Sequence, residues 1–253
     1  MDDIDPIAIV TGAGRGIGRA VAVRLSCEGY KLVLTSRNES ELLETADLCQ
    51  GETMVIPADI TSAEAIEILF DSVEDAWGAA EVLVANAGSG FAAPIHKTTD
   101  AQWASMLDLN LTAPFRCIRR AVPNMVAAKR GRIVVVASVA AKQGEPYISA
   151  YTASKHGILG VVRSAAAELA KTGVTVNAVC PGYVDTPMTA QTVSEIVSKT
   201  GRTADDARSA LEAKQANGRL VTADEVADAV WACVANGAIN GQGINVDGGG
   251  LQS

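Results

Sequence analysis

Short apolar runs rich in Val and Ile recur along the chain, and each is followed by a stretch with helical spacing. Ile7–Thr11, Lys31–Thr35, Thr53–Pro57, Glu81–Asn86, Arg132–Ser138, Val174–Cys180 and Gly243–Asp247 read as strands. Between them, Gly16–Glu28, Glu39–Cys49 and Tyr151–Lys171 read as helices. Thr61 with Glu64, and Thr222 with Glu225, have the spacing of capping boxes, and Asp100 is placed to cap a long helical region broken near Pro114. Strand, helix and strand in regular alternation predict an α/β fold: a doubly wound parallel sheet in three layers, forming one domain over 1–253. The rhythm changes once. Residues 187–218 form a mostly polar helical stretch after the sixth strand. Ligands of open parallel sheets bind beyond the carboxyl ends of the strands, so this segment is a candidate substrate lid, its alternative being a surface excursion without a role.

Composition fits such a sheet and excludes other classes. Of 253 residues 48% are hydrophobic but only 4% aromatic, so the core must be built from Val, Ile, Leu and Ala. A formal net charge of −8 leaves no basic surplus for displacing counterions from nucleic-acid phosphates. Cys27, Cys49, Cys117, Cys180 and Cys233 are scattered with no CxxC pair, which reads as buried apolar residues in a reducing compartment. With only His96 and His156 and no clustered ligands, no metal site is expected. The acidic start Met1–Asp5 is unlike a secretory leader, and runs such as Ile133–Ala141 are too short to cross a bilayer, so the expected location is the cytoplasm, away from membranes.

Directly after the first strand stands Thr11-Gly12-Ala13-Gly14-Arg15-Gly16-Ile17-Gly18. Glycines there let backbone amides approach a pyrophosphate resting on the positive N-terminus of the next helix. An NAD site usually offers an acid at the end of the second strand to hold the ribose hydroxyls. This chain reads Thr35-Ser36-Arg37-Asn38, with no carboxylate before Glu39, which is assigned to the next helix. Arg37, joined by Arg15, is placed to bind a 2′-phosphate, so NADP(H) is favoured and NAD(H) is the alternative.

Tyr151 and Lys155 lie at i and i+4 and share a helix face, while Ser138 ends the fifth strand near the crevice. A phenol of pKa near 10 is only about 0.1% ionised at neutral pH. A neighbouring ammonium favours the phenolate, and bringing the pKa to 7 takes roughly 4 kcal/mol. Ser138 would hydrogen-bond the substrate oxygen. Gln143, Tyr147, Tyr183 and Met188 are candidates for the substrate pocket, with packing as their alternative role.

Together these residues resemble the short-chain dehydrogenase/reductase family in its single-domain subtype, over nearly the whole chain. The segment Thr11 to Gly18 is similar to the family's TGxxxGxG turn, and Asn86-Ala87-Gly88 to its NNAG motif, with Ala85 in place of the first Asn. The resemblance implies Tyr151 as acid/base, Ser138 as substrate orienter, Lys155 as ribose ligand and Asn110 as the fourth catalytic position, holding a water in a proton relay. The implied cofactor contacts comprise Gly12, Arg15, Gly16, Ile17 and Gly18 in the turn, and Ser36 and Arg37 after the second strand. Asp59 and Ile60 would meet the adenine, Asn86, Ala87 and Gly88 would line the crevice, and Pro181, Gly182, Val184 and Thr186 would embrace the nicotinamide beside Tyr151 and Lys155. It further implies a homotetramer, with Thr222–Asp247 at one interface. The segments around Tyr151 and Val174–Met188 look most like bacterial ketoreductases, whose substrates include 3-oxoacyl thioesters on CoA or an acyl carrier. The expected activity is therefore NADPH-dependent ketone reduction. Its alternatives are NAD-dependent oxidation of a secondary or 3-hydroxyacyl alcohol and, from another class, a dinucleotide sensor without turnover.

Overall fold

In the computed structural model, which describes residues 5–252, the central strands are buried on both faces. All five residues of β1 (Ile7–Thr11) and all four of β4 (Val82–Ala85) are buried. Alternate side chains go to opposite sides, as a strand's period of two requires. Ile7 and Ile9 enter one core with Leu83 and Ile133, while Ala8 and Val10 enter the other with Leu32 and Val84. β2 (Lys31–Thr35), β3 (Thr53–Val55), β5 (Gly131–Val136), β6 (Val174–Pro181) and β7 (Gly243–Val246) complete a parallel sheet of seven strands, ordered β3-β2-β1-β4-β5-β6-β7. The chain reverses direction across the sheet between β1 and β4, and that switch point opens the crevice.

Helices cover each face. α1 (Gly16–Cys27), α2 (Glu39–Ala46) and α9 (Ala223–Ala235) contribute Val21, Leu25, Leu42, Val226 and Val230 to one core. α3 (Ala63–Ala76), α5 (Ala113–Ala127) and α6 (Ser149–Leu169) contribute Leu69, Phe70, Cys117, Met125, Ile158 and Val162 to the other. Cys117, Cys180 and Cys233 are buried as expected, but Cys27 is exposed at the end of α1.

Helix starts differ locally from expectation. Ser62, not Thr61, caps α3 by accepting from the Ala65 amide at 3.2 Å. The Asp59 carboxylate claims Thr61 instead, accepting from its amide at 3.0 Å and its hydroxyl at 2.8 Å. Thr99, not Asp100, caps α4 (Asp100–Leu107), in a capping box with Gln102. The box of Thr222 and Glu225 forms as its spacing predicts. Pro114 itself lies in the first turn of α5 (Ala113–Ala127), directly after the interruption. The interruption is a π-helical turn, Asp108–Thr112, between α4 and α5, which carries Asn110 inward. β5 ends at Val136, since Ser138 leaves the sheet to start a single 3-10 turn, Val139–Ala141.

Residues 187–218 hold α7 (Pro187–Thr200) and α8 (Ala204–Glu212), which bury only Thr189 and Ala207 with Leu211, respectively. A parallel bridge between Val184 and Val221 closes the base of this excursion. Among the described residues no helix is long and apolar enough to cross a membrane, and no cluster of His, Cys, Asp or Glu could hold a metal ion. The acidic residues 1–4 lie outside the described residues.

Candidate active site

The glycine turn is built to present amides. Its carbonyls are taken from behind: Asn86 Nδ2 donates to Thr11 O at 2.9 Å and to Gly12 O at 3.2 Å. Thr45 Oγ1 donates to Ala13 O at 3.0 Å, and Arg19 Nη2 to Gly14 O at 2.6 Å. Gly12 takes a positive φ of 65°, and a Cβ there would lie 2.9 Å from the Ala87 backbone. At Gly18 a Cβ would overlap the Gly12 carbonyl. α1 then begins with no side-chain cap and no acid in its first turn, as α5, α6 and α7 also do, whereas among the described residues side chains cap the other five α-helices. Free amides at a helix N-terminus beneath a glycine cradle fit a dinucleotide pyrophosphate.

That turn opens on a cleft of about 1090 Å³. Gly12, Arg15, Gly16 and Ile17 line it from the turn, Ser36 and Arg37 from the end of β2, and Asp59 and Ile60 from beyond β3. Asn86, Ala87, Gly88, Thr186 and Met188 also line it, and Asp108 and Arg116 add charge to the lining. Gly18 lies behind this lining, packed against Gly12 and Asn86. Pro181, Gly182 and Val184 are also outside it. Pro181 pairs with Val246, the Gly182 amide donates to Val246 O at 3.0 Å, and buried Val184 O accepts from Thr189 Oγ1 at 2.6 Å. Three acids, Glu41, Asp59 and Asp108, share the cleft with Arg15, Arg37 and Arg116. The Asp59 carboxyl is held below its usual range by the Thr61 amide and hydroxyl, with Arg37 adding to this. Glu41, from the first turn of α2, stands 3.5 Å from Arg15 Nη1.

Next to the cleft stand the tyrosine, lysine and serine. A Cβ on cleft-lining Gly88 would be 3.7 Å from Lys155 Nζ, so the lysine borders this space. Lys155 is only 5% exposed, and its Nζ donates to Val136 O at 3.0 Å and sits 5.6 Å from the Tyr151 ring centroid. Ser138 Oγ accepts from the Ala140 amide at 3.1 Å and lies near enough to the Tyr151 phenol to favour its ionised form. On sequence grounds the Lys155 ammonium draws the phenol pKa down. In the fold, burial pushes the phenol above its ordinary value, with Ser138 opposing it. Burial also pushes Lys155 itself down, to about 8.

Asn110 is buried in the π turn. Its amide hydrogens go to Ser89 O at 3.0 Å and Met106 O at 3.2 Å, and its Oδ1 accepts from the Ser89 amide at 3.2 Å. The side chain thus braces the loop after β4 with both donors committed.

Among the pocket candidates, Tyr147 is exposed, with a positive φ of 72°, and its carbonyl accepts from the Ala93 amide at 2.8 Å. Gln143 sits just past the Val139–Ala141 turn. Tyr183 is tied into a cluster that sequence reasoning missed. Its hydroxyl donates to Glu145 Oε2 at 3.1 Å and accepts from Lys214 Nζ at 3.1 Å, and Lys214 pairs with Glu145 at 2.9 Å. Burial and the Glu145 charge push the Tyr183 phenol up. Gln215, 4% exposed, accepts from the Tyr183 amide at 3.2 Å and donates to the Tyr183 carbonyl at 3.1 Å. Glu145, Tyr183 and the adjacent pair Lys214 and Gln215 belong to three separated segments, and no local pattern announces their meeting. Glu41 did leave a signal, because the third helical position of α2 reaches back over its own N-terminus.

A family model described as short chain dehydrogenase matches residues 6–196. The 3-oxoacyl-[acyl-carrier-protein] reductase FabG of Escherichia coli is 32% identical over 245 residues, covering 96% of each chain. The D-beta-hydroxybutyrate dehydrogenase of Rhizobium meliloti is 34% identical over 250 residues, covering 96% of this chain and 97% of that one. A crystal structure of an actinorhodin polyketide ketoreductase variant with NADPH superposes with a TM-score of 0.92 at 34% identity, covering 97% of both chains.

Proposed function

The chain belongs to the short-chain dehydrogenase family, and from that premise we propose that it reduces a ketone to the secondary alcohol with NADPH. The substrate class is a 3-oxoacyl thioester on CoA or an acyl carrier, in keeping with the E. coli and actinorhodin relatives. One observation carries this reading: a half-buried tyrosine, with Ser138 near its phenol and Lys155 Nζ 5.6 Å from its ring centroid, adjoins a cleft whose glycine turn and uncapped α1 terminus suit a dinucleotide.

Bound in the cleft, the dinucleotide supplies the hydride. The chain's own residues handle the oxygen. Ser138 donates to the carbonyl oxygen, and Tyr151 gives up its proton as that oxygen becomes anionic. A phenol whose pKa is raised by burial is neutral at pH 7, the form an acid must take. Lys155, with a pKa of about 8, is mostly ammonium at neutral pH and stabilises the phenolate left behind. Asn110 holds the loop at Gly88 and Ser89, beside which Lys155 borders the cleft. α7 and α8 act as the substrate lid of this single-domain enzyme. The chain works in the cytoplasm as a homotetramer, with Thr222–Asp247, including the partly exposed edge strand β7, at one interface; light scattering at the mass of a monomer would remove the last point.

The decisive assay follows NADPH absorbance over a panel of free ketones and 3-oxoacyl thioesters of several lengths. Turnover of thioesters with NADPH preferred to NADH is expected. An enzyme that oxidises 3-hydroxyacids with NAD and reduces none of the ketones would replace this reading with that of the hydroxybutyrate dehydrogenase relative.

A further inference from the structure

We infer that Glu41 is a selectivity residue at the adenosine end of the cleft: its carboxylate stands against the 2′ position, limits the advantage of a 2′-phosphate and gives an unphosphorylated ribose an acceptor. This rests on the cleft being a dinucleotide site, as proposed above.

The placement follows from how α2 starts. Asn38 Oδ1 accepts from the Ser40 amide at 3.2 Å and the Glu41 amide at 3.5 Å, which sets the first helical turn just beyond the end of β2. From there Glu41 leans back over the glycine turn. A Cβ built on Gly14 would be 2.9 Å from Glu41 Cβ and 3.2 Å from both Glu41 Oε2 and Ser36 Oγ. The carboxylate and the Ser36 hydroxyl therefore flank the same point of the turn, and both line the cleft.

Charge then decides what this end of the cleft prefers. Three arginines line the cleft; Arg116 is engaged by Asp108 at 3.6 Å and by the Thr61 carbonyl at 2.6 Å, which leaves Arg15 and Arg37 for a 2′-phosphate. Arg15 has Glu41 at 3.5 Å, and Arg37 lines the same cleft as Asp59. These two cations thus share the cleft with the Glu41 and Asp59 carboxylates. A phosphate entering here must draw Arg15 from Glu41 and accept a like charge beside it. Water and salt screen this repulsion only partly, since Glu41 is 28% exposed. A ribose with a free 2′-hydroxyl meets the opposite situation, because a carboxylate accepts its hydrogen bond. Glu41 thereby fills, from the first turn of the following helix, the place of the acid that the end of β2 lacks.

The test is direct binding to the full-length protein, reading dissociation constants for NADPH and NADH by titration calorimetry. Glu41→Gln keeps the shape of the side chain and leaves its backbone hydrogen bonds in place. It should tighten NADPH by about tenfold, the scale of one partly screened charge contact, and weaken NADH by a smaller factor. The salt dependence of NADPH binding should also steepen, as one more uncompensated cation faces the phosphate. Glu41→Asp keeps the charge one methylene back and should fall between wild type and Glu41→Gln. If Glu41→Gln moves both constants by the same factor, or neither by more than about twofold, a range small enough for a surface substitution alone, the inference is wrong. A wild type that binds NADH more tightly than NADPH would overturn the proposed NADPH preference, while the change in ratio on Glu41→Gln would still judge Glu41.

Discussion

The glycine turn after β1 and the α7–α8 excursion meet across the cleft, where a Cβ on Gly16 would come within 3.3 Å of Thr186. They are held by different means. The turn is fixed by main-chain geometry: Gly12 and Ala13 amides donate to Thr35 O at 2.7 and 3.2 Å, its carbonyls are all engaged, and Gly18 leaves no room for a side chain. Above the backbone bridge of Val184 and Val221 at its base, the excursion is fixed by side chains. Arg208 meets Asp185 through two hydrogen bonds of 3.1 and 2.8 Å, Lys214 pairs with Glu145, and Gln215 clasps Tyr183. Close backbone packing tolerates no added atom, whereas half-exposed ion pairs are individually weak. The cofactor side should therefore fail sharply on substitution, and the substrate side should adjust.

The largest break is expected at Gly18→Ala. The new methyl group overlaps the Gly12 carbonyl, so the turn must move. Overpacking of this kind costs about 3 kcal/mol or more, and NADPH binding should vanish from calorimetric titration. A variant that binds normally would show the turn to be more pliant than its packing implies. Next comes Tyr151→Phe, which removes the proton donor but leaves the fold and cleft intact. Its kcat should fall by at least about 10²-fold with NADPH affinity unchanged. Turnover near wild type would take the proton from elsewhere.

Lys155 gives a third contrast, in pH. Its folded pKa of about 8 lies below the ordinary 10.5. Between those values the unfolded chain holds a proton that the folded chain has released, so stability rises with pH across the window. Below pH 8 the full penalty applies, about 3 kcal/mol at roughly 1.4 kcal/mol per pKa unit. Urea midpoints of wild type should accordingly gain on those of Lys155→Met between pH 8 and 10.5. Parallel profiles would mean that the lysine is better solvated than its burial indicates. The smallest effect is expected from Lys214→Met, on the adjustable side. Global stability should drop by less than about 1 kcal/mol, while KM for the ketone rises a few-fold and NADPH affinity stays put. An unchanged KM would detach the Glu145–Tyr183–Lys214 cluster from substrate binding.

Legibility in the sequence follows the same division. Strands such as Ile7–Thr11 and Gly131–Val136 announce themselves because burial on both faces demands unbroken runs of Val, Ile and Ala. The glycine turn is readable because its geometry admits one residue type at fixed spacing. Tyr151 and Lys155 are readable because a helix brings i and i+4 together. What escaped depends on contacts between distant segments. Nothing local tells that Asp59 will take Thr61 away from capping α3, or that Asn110 will spend its amide on Ser89 and Met106. The direction of the Tyr151 shift escaped for a similar reason, since desolvation is a property of the packed interior. Lys214 and Gln215 looked like ordinary residues of a polar stretch until the fold set them against Tyr183.

The bridge between Val184 and Val221 has a consequence for how such a chain diversifies. Because the two ends of the excursion are pinned side by side, at about the 4.8 Å spacing of neighbouring strands, everything between them is a detachable cassette. A helical pair of other length or polarity, grafted onto the same two valines, would present a new ceiling to the reacting carbonyl while leaving the sheet, the turn and the acid untouched. Substrate range can therefore drift between descendants without renegotiating the hydride chemistry.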